Sequence, residues 1–309
     1  MRVIFMGNPE FALPTLKALL KSDHEVVGVV SNMPKPMGRG RQLMSTPVGE
    51  FSKINNLNLI EAESLKSQEL HEELEFLSPD IFVVVAFRIL PKSLIGLPKF
   101  GAVNLHASML PKYRGAGPIQ WALMNGDEKT GITVFQIERQ VDKGDILLQK
   151  EFDIFPDDNM LSLGKRLCTD GADLVVKSLN ELTSGKSSPI NQKDFPSTPA
   201  PKITKEMTII DWSWSAVKIH NWVRGLSPYP GMSTTWKGKR LRIYNTRVIE
   251  KGYQMGEGRV SKVSPEELFV DTGESLLAFS ELQIEGKKRM SVIDFMMGNT
   301  IETGDLLGE

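Results

Sequence analysis

Ile81-Phe82-Val83-Val84-Val85-Ala86 is an unbroken apolar run, rich in β-branched residues, and a run of that length reads as a strand buried on both faces. Toward the N-terminus, Val26 to Val30 and Val3 to Met6 are of the same kind. Between them, after a turn at Gly7-Asn8-Pro9, Phe11, Leu13, Leu16, Leu19 and Leu20 recur with roughly helical spacing. Toward the C-terminus, Gly101 to Leu105 (GAVNL) reads as a fourth strand. Apolar strands alternating with helices predict an α/β domain with a parallel, Rossmann-like sheet, whose active site lies outside the carboxyl ends of the strands. Thr130 to Glu138 and Asp145 to Phe152 then predict a hairpin around Asp142-Lys143-Gly144, and Leu161 to Leu182 a long helix that closes the domain.

Two segments break this rhythm. Met33 to Thr46 (MPKPMGRGRQLMST) carries two prolines, two glycines, Lys35, Arg39 and Arg41, with no clear period. It reads either as a solvated loop or as a mobile basic finger that touches an anionic partner. Ser184 to Pro201 is rich in Ser, Pro and Gly and reads as a linker. Beyond it, Ala216 to Val223 suggests a short helix, and STTWKG, KRLRIYNTRVI, GRVSKV, ELFVDTG and LLAFSELQI are short strands split by turns. That pattern predicts a small β-barrel, OB-like in size. The expected organisation is a first domain over 1–185 with an inserted basic loop at 34–48, a linker over 186–206, and a β-barrel domain over 207–309.

A chain of 309 residues, 40% hydrophobic, has enough apolar sequence for two such cores. A formal net charge of -1 does not advertise a nucleic-acid binder, although a local basic surface can still neutralise phosphates. The one cysteine, Cys168, forms no internal disulfide and no multi-cysteine metal site, and fits a reducing, cytoplasmic location. Met1 to Gly7 reads as a strand running into a turn rather than a signal peptide, and no apolar run approaches the ~18 residues that span a bilayer. The first turn, Gly-Asn-Pro-Glu-Phe, is not GxGxxG, and neither GxxxxGK[ST] nor HExxH occurs. Dinucleotide, ATP and zinc chemistry are therefore disfavoured, and no metal is expected.

Four histidines are present. His24, His71 and His220 suit surface or packing roles. His106 follows a buried strand directly, and Asn104 stands two residues before it, so both side chains project from one face of the strand end. They can converge on a pocket, or simply be two satisfied polar groups. Asp142, in the turn after the next strand, is a third candidate, with Asp145 as its rival.

The string Asn104 to Leu123, NLHASMLPKYRGAGPIQWAL, resembles the signature of the folate-dependent formyltransferase family, and Asp142 in VDKGDIL matches that family's catalytic aspartate. FMGNPEFALPTL, MGRGRQLMSTPV, KITKEMTIIDW and VRGLSPYPG extend the resemblance along the chain to the tRNA-acting branch of the family. The resemblance implies transfer of a formyl group from 10-formyltetrahydrofolate to the amino group of methionyl initiator tRNA, by a monomer without a metal. It implies Asn104 as an oxyanion donor, His106 in oxyanion stabilisation and proton transfer, and Asp142 as the group that orients His106 and raises its pKa. Ser108, Met109, Leu110 and Pro111 are implied to border the folate, with Phe87, Ile89 and Leu90 as an apolar wall. Lys35, Arg39 and Arg41 are implied to touch the acceptor stem. Lys202 and Lys205 at the linker, and Lys237, Lys239, Arg240 and Arg242 on the barrel, are implied to follow the tRNA backbone. Met109 departs from the usual Leu, and Ala86 to Pro91 (AFRILP) is shorter than the common form. A formyltransferase acting on a small amine would use the same trio. An RNA-binding module without catalysis would leave the trio without a purpose.

Overall fold

The computed structural model describes residues 1–37, 42–193, 195–250, 252 and 255–309. They form two compact units. The first comprises Met1–Pro118, Thr130–Asp153 and Gly164–Ala200; the second comprises Ile119–Lys129, Ile154–Leu163 and Pro201–Glu309.

In chain order the elements are β1 (Arg2–Gly7), α1 (Leu13–Lys21), β2 (Glu25–Asn32), β3 (Lys35–Met37), β4 (Gln42–Met44), α2 (Pro47–Ile54), β5 (Leu59–Ala62), α3 (Gln68–Phe76), β6 (Ile81–Val85), α4 (Lys92–Ile95), β7 (Ala102–His106), β8 (Arg114–Gly115), α5 (Pro118–Met124), β9 (Lys129–Gln136), β10 (Ile146–Asp153), α6 (Met160–Thr183) and β11 (Pro199–Ala200). The expected strands, hairpin and long helix are all present. The main sheet of the first unit runs β10-β9-β7-β6-β1-β2-β5. Its β5-to-β7 portion is parallel, and β9 joins antiparallel to β7. Val3 to Met6 and Ile81 to Val85 are buried on both faces, as the apolar runs require. After β5 the chain crosses back past β1 to lay down β6. The strand order therefore reverses at the carboxyl ends of β1 and β6, which is where open α/β sheets place a binding crevice. His106 ends the next strand along, β7.

Part of the segment read as a solvated loop or a basic finger is a two-stranded ribbon. Lys35, Pro36 and Met37 pair antiparallel with Met44, Leu43 and Gln42. The strand β4 is exposed along its length, so neither face demands apolar residues and the sequence carries no period-2 signal. Arg39 and Arg41 lie outside the described residues. The ribbon feeds α2, whose first turn is capped by Thr46: its Oγ1 accepts from Gly49 N at 3.0 Å.

Residues 186–200 were expected to be linker, but they pack within the first unit. Ile190 and Ile146 exchange two backbone hydrogen bonds of 2.8 Å, and β11 pairs with β8.

The second unit adds α7 (Ala216–Leu226), β12 (Met232–Trp236), β13 (Lys239–Ile249), β14 (Val260–Val263), β15 (Leu268–Asp271), β16 (Leu276–Ile284), β17 (Met290–Ser291) and α8 (Val292–Met296). Its antiparallel sheet runs β12-β13-β16-β15-β14, with β17 on β16. Strand pairing does not close it into the expected barrel. The final residues cover both edges instead: Val260 N donates to Asp305 O beside β14, and Gly308 N donates to Thr235 O beside β12. Each edge strand thus finds main-chain partners without a β12–β14 ladder. Among the described residues no helix is long and apolar enough to cross a membrane.

Candidate active site

His106 is 6% exposed, at the carboxyl end of β7. Its Nε2 lies 2.9 Å from the main-chain oxygen of Tyr113. A carbonyl only accepts, so Nε2 carries the ring hydrogen and the lone pair of the neutral imidazole sits on Nδ1. Nδ1 faces Asp142 Oδ2 at 3.8 Å, close enough for electrostatic coupling and too long for a direct hydrogen bond. The Phe135 ring meets the imidazole edge-on, with centroids 6.3 Å apart. Burial pushes the His106 pKa below its ordinary value. The Asp142 carboxylate and the Tyr113 carbonyl act in the opposite direction and do not outweigh it. The carboxylate raises the basicity of the ring as expected, but desolvation is larger, so the net shift is downward and the imidazole is neutral near pH 7.

Asn104 lies two residues back on the same strand, paired in register with Val84 of β6. It is half-buried, and its amide has no hydrogen-bond partner among the described residues. Strand geometry places it on the same face as His106.

Asp142 sits in the turn before β10 with φ of 54°. Its Oδ2 accepts from Gly115 N at 2.8 Å. Its main-chain oxygen accepts from Arg114 Nε at 3.0 Å and from Gln192 Nε2 at 3.2 Å. Asp145, the rival, is tied to Asn191, whose Nδ2 donates to its Oδ1 at 2.6 Å. A Cβ on Gly144 would collide with the main chain of Gln136, so the tight passage beside β9 requires glycine there. The fold thus brings His106 and Asp142 together and gives Asp145 a structural role.

The segment after His106 is pinned at several points. Thr133 Oγ1 donates to Ser108 O at 2.7 Å and accepts from Leu110 N at 3.1 Å. Gln149 Nε2 donates to Leu110 O at 2.8 Å and to Thr133 Oγ1 at 2.9 Å. Ser108 Oγ donates to Lys112 O, and the Leu110 side chain packs with Phe135 and Ile146. After β6, the Arg88 guanidinium donates to Ala62 O and Glu63 O and fixes the shortened 86–91 segment. Leu90 is buried in the core, whereas Phe87 is half-buried and Ile89 is 77% exposed. Of the three expected apolar-wall residues, only Phe87 and Ile89 leave apolar surface open. Lys35 and Lys205 are exposed, each in its own unit.

On the same edge of the sheet, a cleft of about 210 Å³ opens at the carboxyl ends of β1 and β2, lined in part by Asn8, Asn32, Met33, Met44 and Thr46. Sequence reasoning missed Gln192 and Gln149. Each is one polar residue in an ordinary polar context, and only the folded chain shows which main-chain groups it satisfies.

The chain thus combines a doubly wound sheet that carries a His–Asp pair at its strand ends with a small antiparallel unit. The chain belongs to the formyl transferase family: residues 1–179 match the formyl transferase model, and residues 202–300 match that of the formyl transferase C-terminal domain. It is 42% identical over 310 residues to the methionyl-tRNA formyltransferase of Alkaliphilus oremlandii, covering 100% of both chains. It is 41% identical over 309 residues to that of Caldanaerobacter subterraneus subsp. tengcongensis, covering 99% of this chain and 100% of the relative. Among solved structures, HypX from Aquifex aeolicus in complex with tetrahydrofolic acid shares the fold with a TM-score of 0.68 at 18% identity. That likeness covers 96% of this chain and 47% of HypX.

Proposed function

We propose that this enzyme transfers the formyl group of 10-formyltetrahydrofolate to the α-amine of methionyl initiator tRNA, in the cytoplasm. The observation that carries this reading is full-length similarity to methionyl-tRNA formyltransferases, joined to a neutral, buried imidazole that faces a carboxylate at a strand end. The neutral amine attacks the formyl carbon and the carbonyl oxygen becomes an oxyanion. Collapse breaks the bond from that carbon to N10, and the amine's proton goes to the departing nitrogen. Asn104 donates its amide hydrogen to the oxyanion, a contribution of ~3–4 kcal/mol when such a donor is preorganised. His106 Nδ1 takes the proton from the amine and passes it on, and the transient imidazolium stabilises the oxyanion. Asp142 stabilises that imidazolium, orients the ring and bridges proton movement through water.

For the folate, the pinned main chain of Ser108, Met109, Leu110 and Pro111 supports one side of a pterin slot, and the open apolar surface of Phe87 and Ile89 supports the other. Leu90 shapes this wall from the core. Catalysis belongs to the first unit. Lys35, Arg39 and Arg41 contact the acceptor stem. Lys202 and Lys205, with Lys237, Lys239, Arg240 and Arg242, follow the phosphates from the second unit. The cleft beside Asn8 and Asn32 lies on the catalytic edge of the sheet, where the aminoacyl end must enter.

The deciding test is a formylation assay that offers charged initiator tRNA beside glycinamide ribonucleotide and amino-sugar nucleotides. Turnover of the tRNA alone, abolished in His106→Ala, is the expected result. Turnover only of a small amine would replace the acceptor, and wild-type turnover of none would end the reading.

A further inference from the structure

We propose that Gln192 is a positioning residue for formyl transfer: it holds the Asp142 turn in the conformation that aims the carboxylate at His106. The inference rests on the roles given above to His106 and Asp142.

Asp142 adopts a left-handed backbone conformation, with φ of 54°, which a residue bearing a side chain keeps only when its surroundings enforce it. Gln192 supplies that enforcement. Its side chain is 2% exposed. Its Nε2 donates to Asp142 O at 3.2 Å and to Gly144 O at 2.6 Å. Its Oε1 accepts from Arg114 Nε at 3.2 Å and Nη2 at 2.7 Å. Arg114 Nε also donates to Asp142 O. The amide thus uses both of its hydrogens and both of its lone pairs, and it joins two segments, the 142–144 turn and the strand at Arg114. Glutamate would lose both donors, and asparagine is one methylene too short.

The same stretch of chain anchors the remaining partners of the pair. Asn191 holds Asp145, and Ile190 holds Ile146. Thr198 Oγ1 accepts from Tyr113 N, and Thr198 O accepts from Arg114 N, each at 2.9 Å. Tyr113 O receives the His106 Nε2 hydrogen, and Gly115 N donates to Asp142 Oδ2. A polar segment between the two family-matched regions therefore holds both outer contacts of the His–Asp pair.

The test uses the full-length chain with Gln192→Ala, Gln192→Asn and Asp142→Asn, and two readouts. The first is the titration of His106, followed by NMR without substrate. The second is kcat, KM and the pH profile for formylation. Loosening the turn removes the carboxylate that favours the protonated ring, so the His106 midpoint moves to lower pH in both Gln192 variants. In the kinetics kcat falls about 10–100-fold, KM stays within about twofold, and the acid limb moves the same way. Combining Gln192→Ala with Asp142→Asn adds little beyond Asp142→Asn alone, because both act through one carboxylate. A wild-type titration midpoint and kcat in folded Gln192→Ala would overturn the proposal, as would full additivity in the double variant. If Gln192→Ala does not fold, Gln192→Asn decides on the same criteria. A wild type that formylates no acceptor overturns the functional reading instead, and leaves the substrate-free titration to judge Gln192.

Discussion

At the scale of single residues, the protonation state of His106 decides what the site can do. Its pKa is held down by burial and partly restored by Asp142. The rate as kcat/KM should be level near pH 7 and fall only as acidification protonates the ring. Asp142→Asn removes the restoring charge, so its acid limb should move to lower pH while the plateau drops. A pH–rate profile of the two proteins checks the sign. Asn104→Ala should lower kcat by about 10²–10³ with an unchanged melting temperature, the loss typical of one oxyanion donor. His220 affords a separate test, of stability. Its pKa is lowered to about 4, chiefly by burial and then by the charge of Arg224. Between about pH 6.5 and 4 the unfolded chain binds the proton that the folded chain refuses, so stability falls as pH falls through that window and is independent of this group above it. The total is at most ~3 kcal/mol. Thermal melts in that range should steepen this way in the wild type and flatten in His220→Asn. Asn104 and His106 were legible as candidates because they stand two apart at the end of an apolar strand, and the family resemblance implied their catalytic role together with Asp142. The net direction of the His106 shift was not legible, because it depends on how deeply the ring is buried.

At the scale of elements, the ribbon β3–β4 and the helix it feeds are the informative case. Thr46 caps α2 and also lies within hydrogen-bonding distance of Ser31 Oγ at the end of β2. Thr46→Ala should cost about 1 kcal/mol, the usual value of such a cap, measurable as a lowered denaturation midpoint. Lys35, exposed on β3, should act through phosphate charge. Lys35→Ala is expected to weaken tRNA binding at every sequence and to reduce the magnitude of the log K against log salt slope by about one. An unchanged slope would remove the ribbon from the electrostatic interface. The ribbon could not be read from sequence, since a strand that buries neither face leaves no alternation to find.

At the scale of the whole molecule, the second unit is assembled from three stretches of chain. Met124 of α5 belongs to its core, together with Trp212, Val223 and Phe279. Arg224 of α7 donates to Asp158 O at 2.7 Å and to Phe155 O at 2.8 Å. The fragment 201–309, which lacks residues 119–129 and 154–163, should therefore melt below the corresponding transition of the full chain. Differential scanning calorimetry of both would show it, and equal transitions would mean those segments add nothing.

The amino-acid sequence by itself determined the sheet of buried apolar strands and the order of its elements, and it offered Asn104, His106 and Asp142 as candidates. Strand periodicity and residue chemistry are local properties, visible wherever the chain is read. Only the tertiary structure set Asp142 against His106 while tying Asp145 to Asn191, left the C-terminal sheet open with the last residues bonded to its edges, and packed residues 186–200 within the first unit. Each of these depends on which distant main-chain groups a side chain meets. The Gln192 amide finds the carbonyls of Asp142 and Gly144 only after the chain has folded back across the sheet, and no local pattern encodes that encounter.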